Sequence, residues 1–226
     1  MKPVIPAMAL RAALRGAVWA AMGAGVWMPA SGATELPAPA AAAQPRAPTE
    51  APNASREGAR DARSYFTDLE LLTQEGRKVR FYSDVLEGRT VLINVIYANC
   101  KDACPLITQQ LNEVRRQIPD LFGKRVFFVT LSSDPMLDTP QILKQFAQKQ
   151  GADVAGWTFL TGSKENMDQV LKKLGQYAQN KEEHSTGLIA GNVGAKRWAK
   201  LRPDLPPAAI AQRLSTLADA GALGAP

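Results

Sequence analysis

Long apolar runs alternate with amphipathic stretches over much of this 226-residue chain. Three runs are apolar at almost every position and rich in β-branched and aromatic residues: 90–99 (TVLINVIYAN), 125–133 (RVFFVTLSS) and 157–162 (WTFLTG). A strand without polar alternation is covered on both faces, as in the centre of a parallel sheet. The runs therefore predict three buried strands.

Between and after these runs, apolar residues recur three or four positions apart, which is the period of a helix. Pro105 suits a first helical turn, and Thr139 and Ser163 suit helix caps. We expect four helices. Their apolar faces are, in chain order, Ile107, Leu111, Val114 and Ile118; Ile142, Leu143 and Phe146; Met167, Val170, Leu171 and Leu174; and the apolar positions from 206 onward.

Two strand pairs flank this alternation. Residues 65–85 predict an N-terminal β-hairpin with its turn at 74–77 (QEGR), and 185–201 predict a second hairpin with its turn at 192–194. Strands that alternate with amphipathic helices indicate an α/β fold. We expect a central mixed sheet flanked by helices on both faces.

The first 62 residues show a different pattern. Lys2, Arg11 and Arg15 accompany a short apolar run at 16–28, and the small residues Ser31 and Ala33 follow it. This order is typical of a secretory signal, so 1–33 are predicted to be a signal peptide, or else an uncleaved membrane anchor. The segment 34–62 is rich in Ala and Pro and predicts a disordered tether. The folded domain is then expected over 63–221.

Charge excludes one class of function. The formal net charge of +6 comes from 27 Lys and Arg against 21 acids, and three of the cations precede residue 34. The remainder carries 24 cations against 21 acids, or +3, with the basic residues scattered along the chain. No basic stripe of the kind that binds nucleic acid is present.

Cys100 and Cys104 are the only cysteines, and they follow the first buried strand directly. In an exported protein they could form a disulfide staple, a redox pair, or two ligands of a metal site. A staple closing so short a loop would stabilise the fold little, which favours chemistry. Cys104 lies at the predicted helix start, where the backbone N–H groups favour a thiolate.

Two other residues are candidates for the same site. His184, the only histidine, precedes a predicted strand, although a lone loop histidine is by itself usually an ordinary surface residue. Asp134 follows the second buried strand. Functional groups gather at the carboxyl ends of strands in such sheets, and Cys100 lies at this end too.

The order and spacing of five segments over about 64–220 resemble the Sco/SenC family, whose fold is thioredoxin-like. The segments are LLTQEGRKVRF, NVIYANCKDACPLI, LSSDPMLDTPQILKQFAQ, GWTFLTGS and HSTGLIAG. In that family the C-x-x-x-C-P cysteines and a distant histidine bind copper. The resemblance therefore implies Cys100, Cys104 and His184 as the ligands of one Cu(I) or Cu(II) per chain. It also implies a supporting role for Asp134, and Asp138 matches the next acid of that loop.

The resemblance implies a periplasmic metallochaperone, free or anchored to the inner membrane by an uncleaved N-terminus. Its partner would be the cytochrome c oxidase subunit with the dinuclear copper centre, or another periplasmic copper protein. Two thiolates and an imidazole suit Cu(I) and tolerate Cu(II).

The alternative is a thiol–disulfide oxidoreductase that uses Cys100 and Cys104, is served by a thiol reductant, and does not need His184. Lys101 stands where the family commonly has proline. A cation there could offset the charge of a dithiolate copper site or lower a thiol pKa, so it fits both hypotheses.

Overall fold

The computed structural model describes residues 65–223, which form seven strands and four long helices. The strands are β1 Glu70–Thr73, β2 Lys78–Arg80, β3 Thr90–Ile96, β4 Val126–Ser132, β5 Trp157–Thr161, β6 Leu188–Asn192 and β7 Arg197–Leu201. The helices are α1 Ala103–Gln117, α2 Pro140–Lys149, α3 Lys164–Leu174 and α4 Pro207–Leu223, with shorter helical segments at Phe81–Leu86 and Lys181–Glu183. The predictions for 1–62 lie outside the described residues.

The strands form one mixed sheet in the order β2-β1-β5-β4-β3-β6-β7. The three apolar runs are its centre, where β3, β4 and β5 are parallel. The N-terminal hairpin extends the sheet antiparallel to β5, and β6 and β7 extend it antiparallel to β3. The predicted mixed sheet is confirmed, with a hairpin at each edge.

Helices cover both faces of the sheet, as predicted. Leu92 and Ile96 of β3 face a core shared with α1, α2 and α4. Val91, Ile93 and Val95 face the opposite core, which α3 and the Phe81–Leu86 segment complete. Every residue of β3 is buried, which explains its unbroken apolar run. This strand carries the cysteine loop at its carboxyl end.

Several boundaries differ from the predictions. Strand β3 ends at Ile96 instead of 99, and the Ala98 N–H beyond it bonds to the Asp138 carboxylate instead of a neighbouring strand. Ile118 is buried but lies just beyond the end of α1. Ile142 is 40% exposed, so its predicted place on the buried face of α2 is wrong. It lies one position before Leu143, about 100° around the helix from the buried stripe.

The second strand of the N-terminal hairpin is shorter than predicted. It stops at Arg80, and Phe81–Leu86 form a helical segment. The Asp84 carboxylate accepts the Arg80 N–H at 2.7 Å, and Asp68 accepts the Ser83 N–H at 2.9 Å. Side chains that bond the backbone in this way compete with a strand ladder.

Among residues 65–223, no helix is long and apolar enough to cross a membrane.

Candidate functional site

The cysteine loop connects the carboxyl end of β3 to the start of α1. The Cys100 N–H donates to the Tyr97 carbonyl at 3.0 Å, which closes a turn and folds Cys100 back toward the sheet. Cys104 is the second residue of α1 and is 1% exposed, whereas Cys100 is only partly buried. Both are free thiols. The predicted position of the pair, at the sheet edge and helix start, is therefore seen in the structure.

The two thiols have opposite environments. The Cys104 N–H donates to Cys100 Sγ at 3.4 Å, and the two side chains are hydrogen-bonded. Burial alone would raise the Cys100 pKa, but the bonds from the Cys104 thiol and backbone outweigh it and the pKa is lowered. Burial, together with the hydrogen bond to Cys100, raises the pKa of Cys104 to about 12. The expectation that the helix start favours a thiolate at Cys104 is therefore wrong, because burial outweighs the backbone N–H groups. Cys100 is thus the thiol that ionises first. Cys104 keeps its proton and donates it in a hydrogen bond that stabilises the Cys100 thiolate.

Tyr97, which the sequence reasoning did not single out, touches all three predicted ligands. Its hydroxyl is hydrogen-bonded to Cys100, and its main chain is hydrogen-bonded to the Cys104 thiol. Its ring meets the His184 ring edge to face, with 5.9 Å between centroids. The hydrogen bond to Cys100, followed by burial, raises the pKa of Tyr97 to about 12, so the phenol keeps its proton and donates.

His184 is buried, with 8% of its surface exposed, and follows the short Lys181–Glu183 helix. Its Nδ1 lies 3.0 Å from the Ser185 carbonyl oxygen. A carbonyl only accepts, so Nδ1 carries the proton and the lone pair is on Nε2. Burial lowers the pKa of the imidazole, against the opposing effect of the Ser185 bond. A neutral imidazole whose other nitrogen is held by a carbonyl is the form that binds metals.

Asp134 acts on the histidine loop. Its Oδ2 accepts from Lys181 Nζ at 2.6 Å, with both side chains less than one-third exposed. The Lys181 ammonium also lies over the Tyr97 ring, 5.6 Å from its centroid. Asp134 therefore connects the loop after β4 to the segment that carries His184.

Asp138 holds the cysteine loop. Its carboxylate accepts the Ala98 N–H at 3.1 and 3.2 Å and the Ser132 hydroxyl at 2.6 Å, and the residue is 2% exposed. Burial raises its pKa, and these hydrogen bonds only partly oppose the effect. The acid thus fastens the loop after β4 to the start of the loop that carries the two thiols.

The predicted ligands lie around Tyr97 but are not gathered around a single point. Within residues 65–223, no three His, Cys, Asp or Glu side chains are arranged to hold one metal ion. The thiols contact each other, whereas His184 contacts Tyr97. The donor types, two sulfurs and a neutral imidazole, fit a soft or borderline metal such as Cu(I).

A model of the SCO1/SenC family matches residues 57–194, which is more than half of the chain. The chain belongs to the SCO1/SenC family. The match includes the loops that carry Cys100, Cys104, Asp134 and His184.

Curated relatives match part of this SCO1/SenC protein. The SCO1 protein homolog of Bacillus subtilis (strain 168) is 32% identical over 89 residues, which are 39% of this chain and 45% of the relative. The chain spans about half the length of the curated relatives it matches.

Two solved structures have the same fold. A SCO1/SenC family lipoprotein from Bacillus anthracis str. Ames matches with a TM-score of 0.59 at 25% identity, over 68% of this chain and 94% of that one. Bradyrhizobium japonicum ScoI, solved with copper bound, matches with a TM-score of 0.55 at 22% identity, over 66% and 96%. Together these structures establish a thioredoxin-like α/β domain of the Sco type.

Sequence reasoning missed two contributors to the site of this SCO1/SenC protein. Tyr97 gave a weak signal, since it is the one hydroxyl-bearing aromatic residue in the first buried run. Lys181 gave none, because it is one of several charged residues in a polar loop. Lys101, which was noted for replacing proline, is exposed.

Proposed function

We propose that this SCO1/SenC protein is a metallochaperone that binds one copper ion through Cys100, Cys104 and His184. The observation that supports it most is the pairing of a lowered-pKa thiol with a second thiol, close to a buried neutral imidazole. These are the donor types that suit Cu(I) and tolerate Cu(II). A family neighbour, Bradyrhizobium japonicum ScoI, has been solved with copper bound.

The chain's own residues suggest how the cargo is handled. Cys100 is partly exposed and ionises first, so it meets copper first. Cys104 then loses its proton as its sulfur binds, and His184 offers Nε2 without losing a proton. Three protein donors leave a coordination position open, through which an acceptor can attach its own ligand before the protein releases copper. A carrier needs such an exchange, whereas a structural site avoids it.

We further propose that the acceptor is the dinuclear copper centre of a cytochrome c oxidase, in the periplasm. The family resemblance implies this partner, and the signal-like pattern of residues 1–33 supports export. The predicted tether over 34–62 would let the domain reach an acceptor if the N-terminus stays in the inner membrane.

A second candidate function is thiol–disulfide exchange, which the asymmetry of the two thiols favours. The Cys100 thiolate would attack a substrate disulfide, form a mixed disulfide and release one substrate thiolate. Cys104, once deprotonated, would attack Cys100 Sγ and release the second. The substrate disulfide is then reduced, the Cys100–Cys104 disulfide is formed, and an external thiol reductant restores the pair. His184 has no part in this reaction.

Titration of residues 34–226 with Cu(I) and Cu(II), reduced and without oxygen, separates the two candidates. Cys100→Ser, Cys104→Ser and His184→Ala are compared with the parent. Met136→Leu is the matched control, because Met136 is a 71% exposed, sulfur-containing residue that is not a proposed ligand. We expect one copper per chain, a thiolate-to-Cu(II) charge-transfer band, weaker binding in the three ligand variants, and no change in the control.

The opposite result has a clear form. If copper binding is weak or indifferent to His184→Ala, while the cysteine pair equilibrates readily with a glutathione buffer, the metallochaperone proposal fails. The thiol–disulfide oxidoreductase then remains.

A further inference from the structure

A surface pocket of about 440 Å³ lies at the end of the sheet opposite the thiol loop. Its lining includes Arg89, which directly precedes β3, and Thr158, the second residue of β5. Both lie at the amino-terminal ends of the central parallel strands, whereas Cys100 and Asp134 follow the carboxyl ends. The seven residues of β3 separate the two ends by roughly 20 Å. The pocket is large enough for a small ligand and is separate from the candidate metal site.

Three cations from two parts of the chain line this pocket. Arg77 and Lys78 come from the hairpin turn and the start of β2, and Arg89 comes from the loop before β3. Among the described residues that line the pocket, the only acid is Asp84. Three cations against one carboxylate give the lining a formal charge of +2. The fold thus gathers basic residues that are scattered along the sequence.

The two arginines are available to a ligand. Within residues 65–223, no ion pair involves Arg77 or Arg89. The Arg89 guanidinium lies over the Phe127 ring, 4.8 Å from its centroid, which supports the cation and leaves its N–H donors for other partners. Lys78 pairs with Glu70 at 2.8 Å, but both side chains are more than half exposed, so this pair is weak and can be exchanged.

Hydrogen bonds fix the wall of the pocket that the Phe81–Leu86 segment provides. Asp84 Oδ2 accepts the Arg80 N–H at 2.7 Å, so a backbone donor already engages the one carboxylate. The Ser83 N–H and hydroxyl donate to the Asp68 carboxylate at 2.9 and 2.7 Å. Because Asp68 follows the predicted tether of 34–62 closely in sequence, the chain leads from the tether into the domain near this pocket.

We propose that this pocket binds a phosphate-type anion, held by Arg77, Lys78 and Arg89. Guanidinium groups pair with phosphate oxygens through two parallel N–H bonds, and a lysine adds a mobile positive charge. A free phosphate compound and the phosphate of an anionic lipid headgroup share this chemistry. A bound headgroup would hold the domain with its thiol end away from the bilayer, because the two sites lie at opposite ends of the sheet. This inference goes beyond the proposed function and does not depend on copper.

Titration with inorganic phosphate tests the pocket in the predicted mature chain, residues 34–226, with sodium chloride used to keep the ionic strength constant. We expect saturable NMR shifts of the backbone amides over 77–89 and at Thr158. Arg89→Gln should weaken binding about tenfold, the loss expected for a charge-assisted contact. Arg77→Gln, at an exposed turn position, should also weaken it and leaves the Phe127 contact intact.

Two further variants sharpen the phosphate titration. Asp84→Asn should strengthen binding severalfold, because it removes the like charge and keeps an oxygen for the Arg80 N–H. Arg213→Gln is the matched control, since Arg213 is an exposed arginine of α4 that does not line the pocket, and it should change nothing. Circular dichroism checks that every variant is folded.

Sedimentation with vesicles distinguishes the two sources of phosphate. Vesicles of phosphatidylglycerol and phosphatidylcholine in equal parts are compared with vesicles of phosphatidylcholine alone. Binding to the anionic vesicles that Arg77→Gln and Arg89→Gln weaken, and Arg213→Gln does not, assigns the lipid headgroup. Binding of inorganic phosphate that depends on the same two arginines, without vesicle binding, assigns a free phosphate compound.

The proposal is overturned if inorganic phosphate causes no saturable shifts and vesicle binding is indifferent to Arg77→Gln and Arg89→Gln. Phosphate binding of equal strength in the parent and in both variants would overturn it as well. An oligoglutamate peptide that shifts the pocket amides, in a chain that does not respond to phosphate, would replace the phosphate assignment with a carboxylate-bearing partner. The copper titration is unaffected by any of these results, so the proposed function is tested separately.

Discussion

At the scale of single residues, two thiols four positions apart have opposite acidities. The difference arises because Cys104 is buried in the first turn of α1, whereas Cys100 lies in the loop and collects hydrogen bonds. The donors to Cys100 include the Cys104 thiol, the Cys104 and Asp102 backbone, and the Tyr97 hydroxyl. Cys100 can therefore attack a disulfide or bind a metal as a thiolate. Cys104 remains protonated until its sulfur takes part in the reaction or binds the metal.

The acidity of the two thiols can be measured by their alkylation with iodoacetamide as a function of pH. The midpoint for Cys100 should lie below the ordinary thiol value of 9.0, while Cys104 should stay unreactive until the pH approaches its pKa of about 12. Cys104→Ala should raise the Cys100 midpoint, because it removes a hydrogen bond to the thiolate. Cys104→Ser keeps a hydroxyl donor and should raise it less. Equal midpoints for the two thiols in the parent would contradict this account.

The buried acid Asp138 should affect stability in the direction set by its raised pKa. Its folded-state pKa lies above the unfolded value, so its contribution is full below about pH 3.8 and is lost as the pH rises through the folded pKa. In urea unfolding, the free energy of unfolding of the parent minus that of Asp138→Asn should fall as the pH rises from about 3.8 through the folded-state pKa of Asp138. At higher pH the difference should level off.

Asp120→Asn, at an exposed position, is the control for the Asp138 experiment. A difference between parent and Asp138→Asn that rises with pH would reverse the sign and exclude a raised pKa.

At the scale of elements, three loops meet at the carboxyl end of the central strands. Asp138 ties the loop after β4 to the one after β3, and Asp134 ties it to the loop before β6. The loop after β4 is therefore the common anchor of the thiol segment and the histidine segment, although it contributes no proposed ligand itself.

Breaking the anchor of the histidine loop should loosen that loop without disturbing the thiols. Lys181→Met should accelerate amide hydrogen exchange over 181–186 and weaken copper binding by no more than about fivefold, since a partly exposed ion pair contributes up to about 1 kcal/mol. The alkylation rate of Cys100 should stay near that of the parent. Lys164→Met removes the Lys164–Asp168 pair on α3 and serves as the control. Unchanged exchange over 181–186 would mean that the ion pair does not hold the loop.

At the scale of the whole molecule, the sheet separates two apolar cores, and the described members of both run from Phe66 to Ala218. Each core is closed by helices that lie within residues 65–223. The predicted domain bounds of 63–221 remain a prediction.

Removal of residues 34–62 should leave stability unchanged. We expect the chain from residue 63 onward and the chain from residue 34 onward to have the same free energy of unfolding within about 0.5 kcal/mol, since an Ala/Pro-rich segment buries little apolar surface. Urea unfolding followed by tryptophan fluorescence measures both. A loss of more than about 1 kcal/mol on truncation would show that residues 34–62 pack on the domain.

The hydrophobic pattern by itself determined most of the elements and the place of the thiol pair. Both are properties of local sequence: a run such as 90–96 reads as a buried strand, and a stripe such as Ile107, Leu111 and Val114 reads as a helix face. The resemblance to the Sco/SenC family was confirmed, whereas the ligand set remains a prediction.

Only the tertiary structure decided which loops meet and what each polar group experiences there. Asp134 and Lys181 are 47 residues apart, and Asp138 reaches back 40 residues to Ala98. Such contacts depend on the order in which the strands pair, which no periodic pattern along a single chain encodes. The opposite acidities of Cys100 and Cys104 likewise follow from burial and from hydrogen-bond donors brought together by the fold. Residue type does not distinguish the two thiols, since both are cysteines.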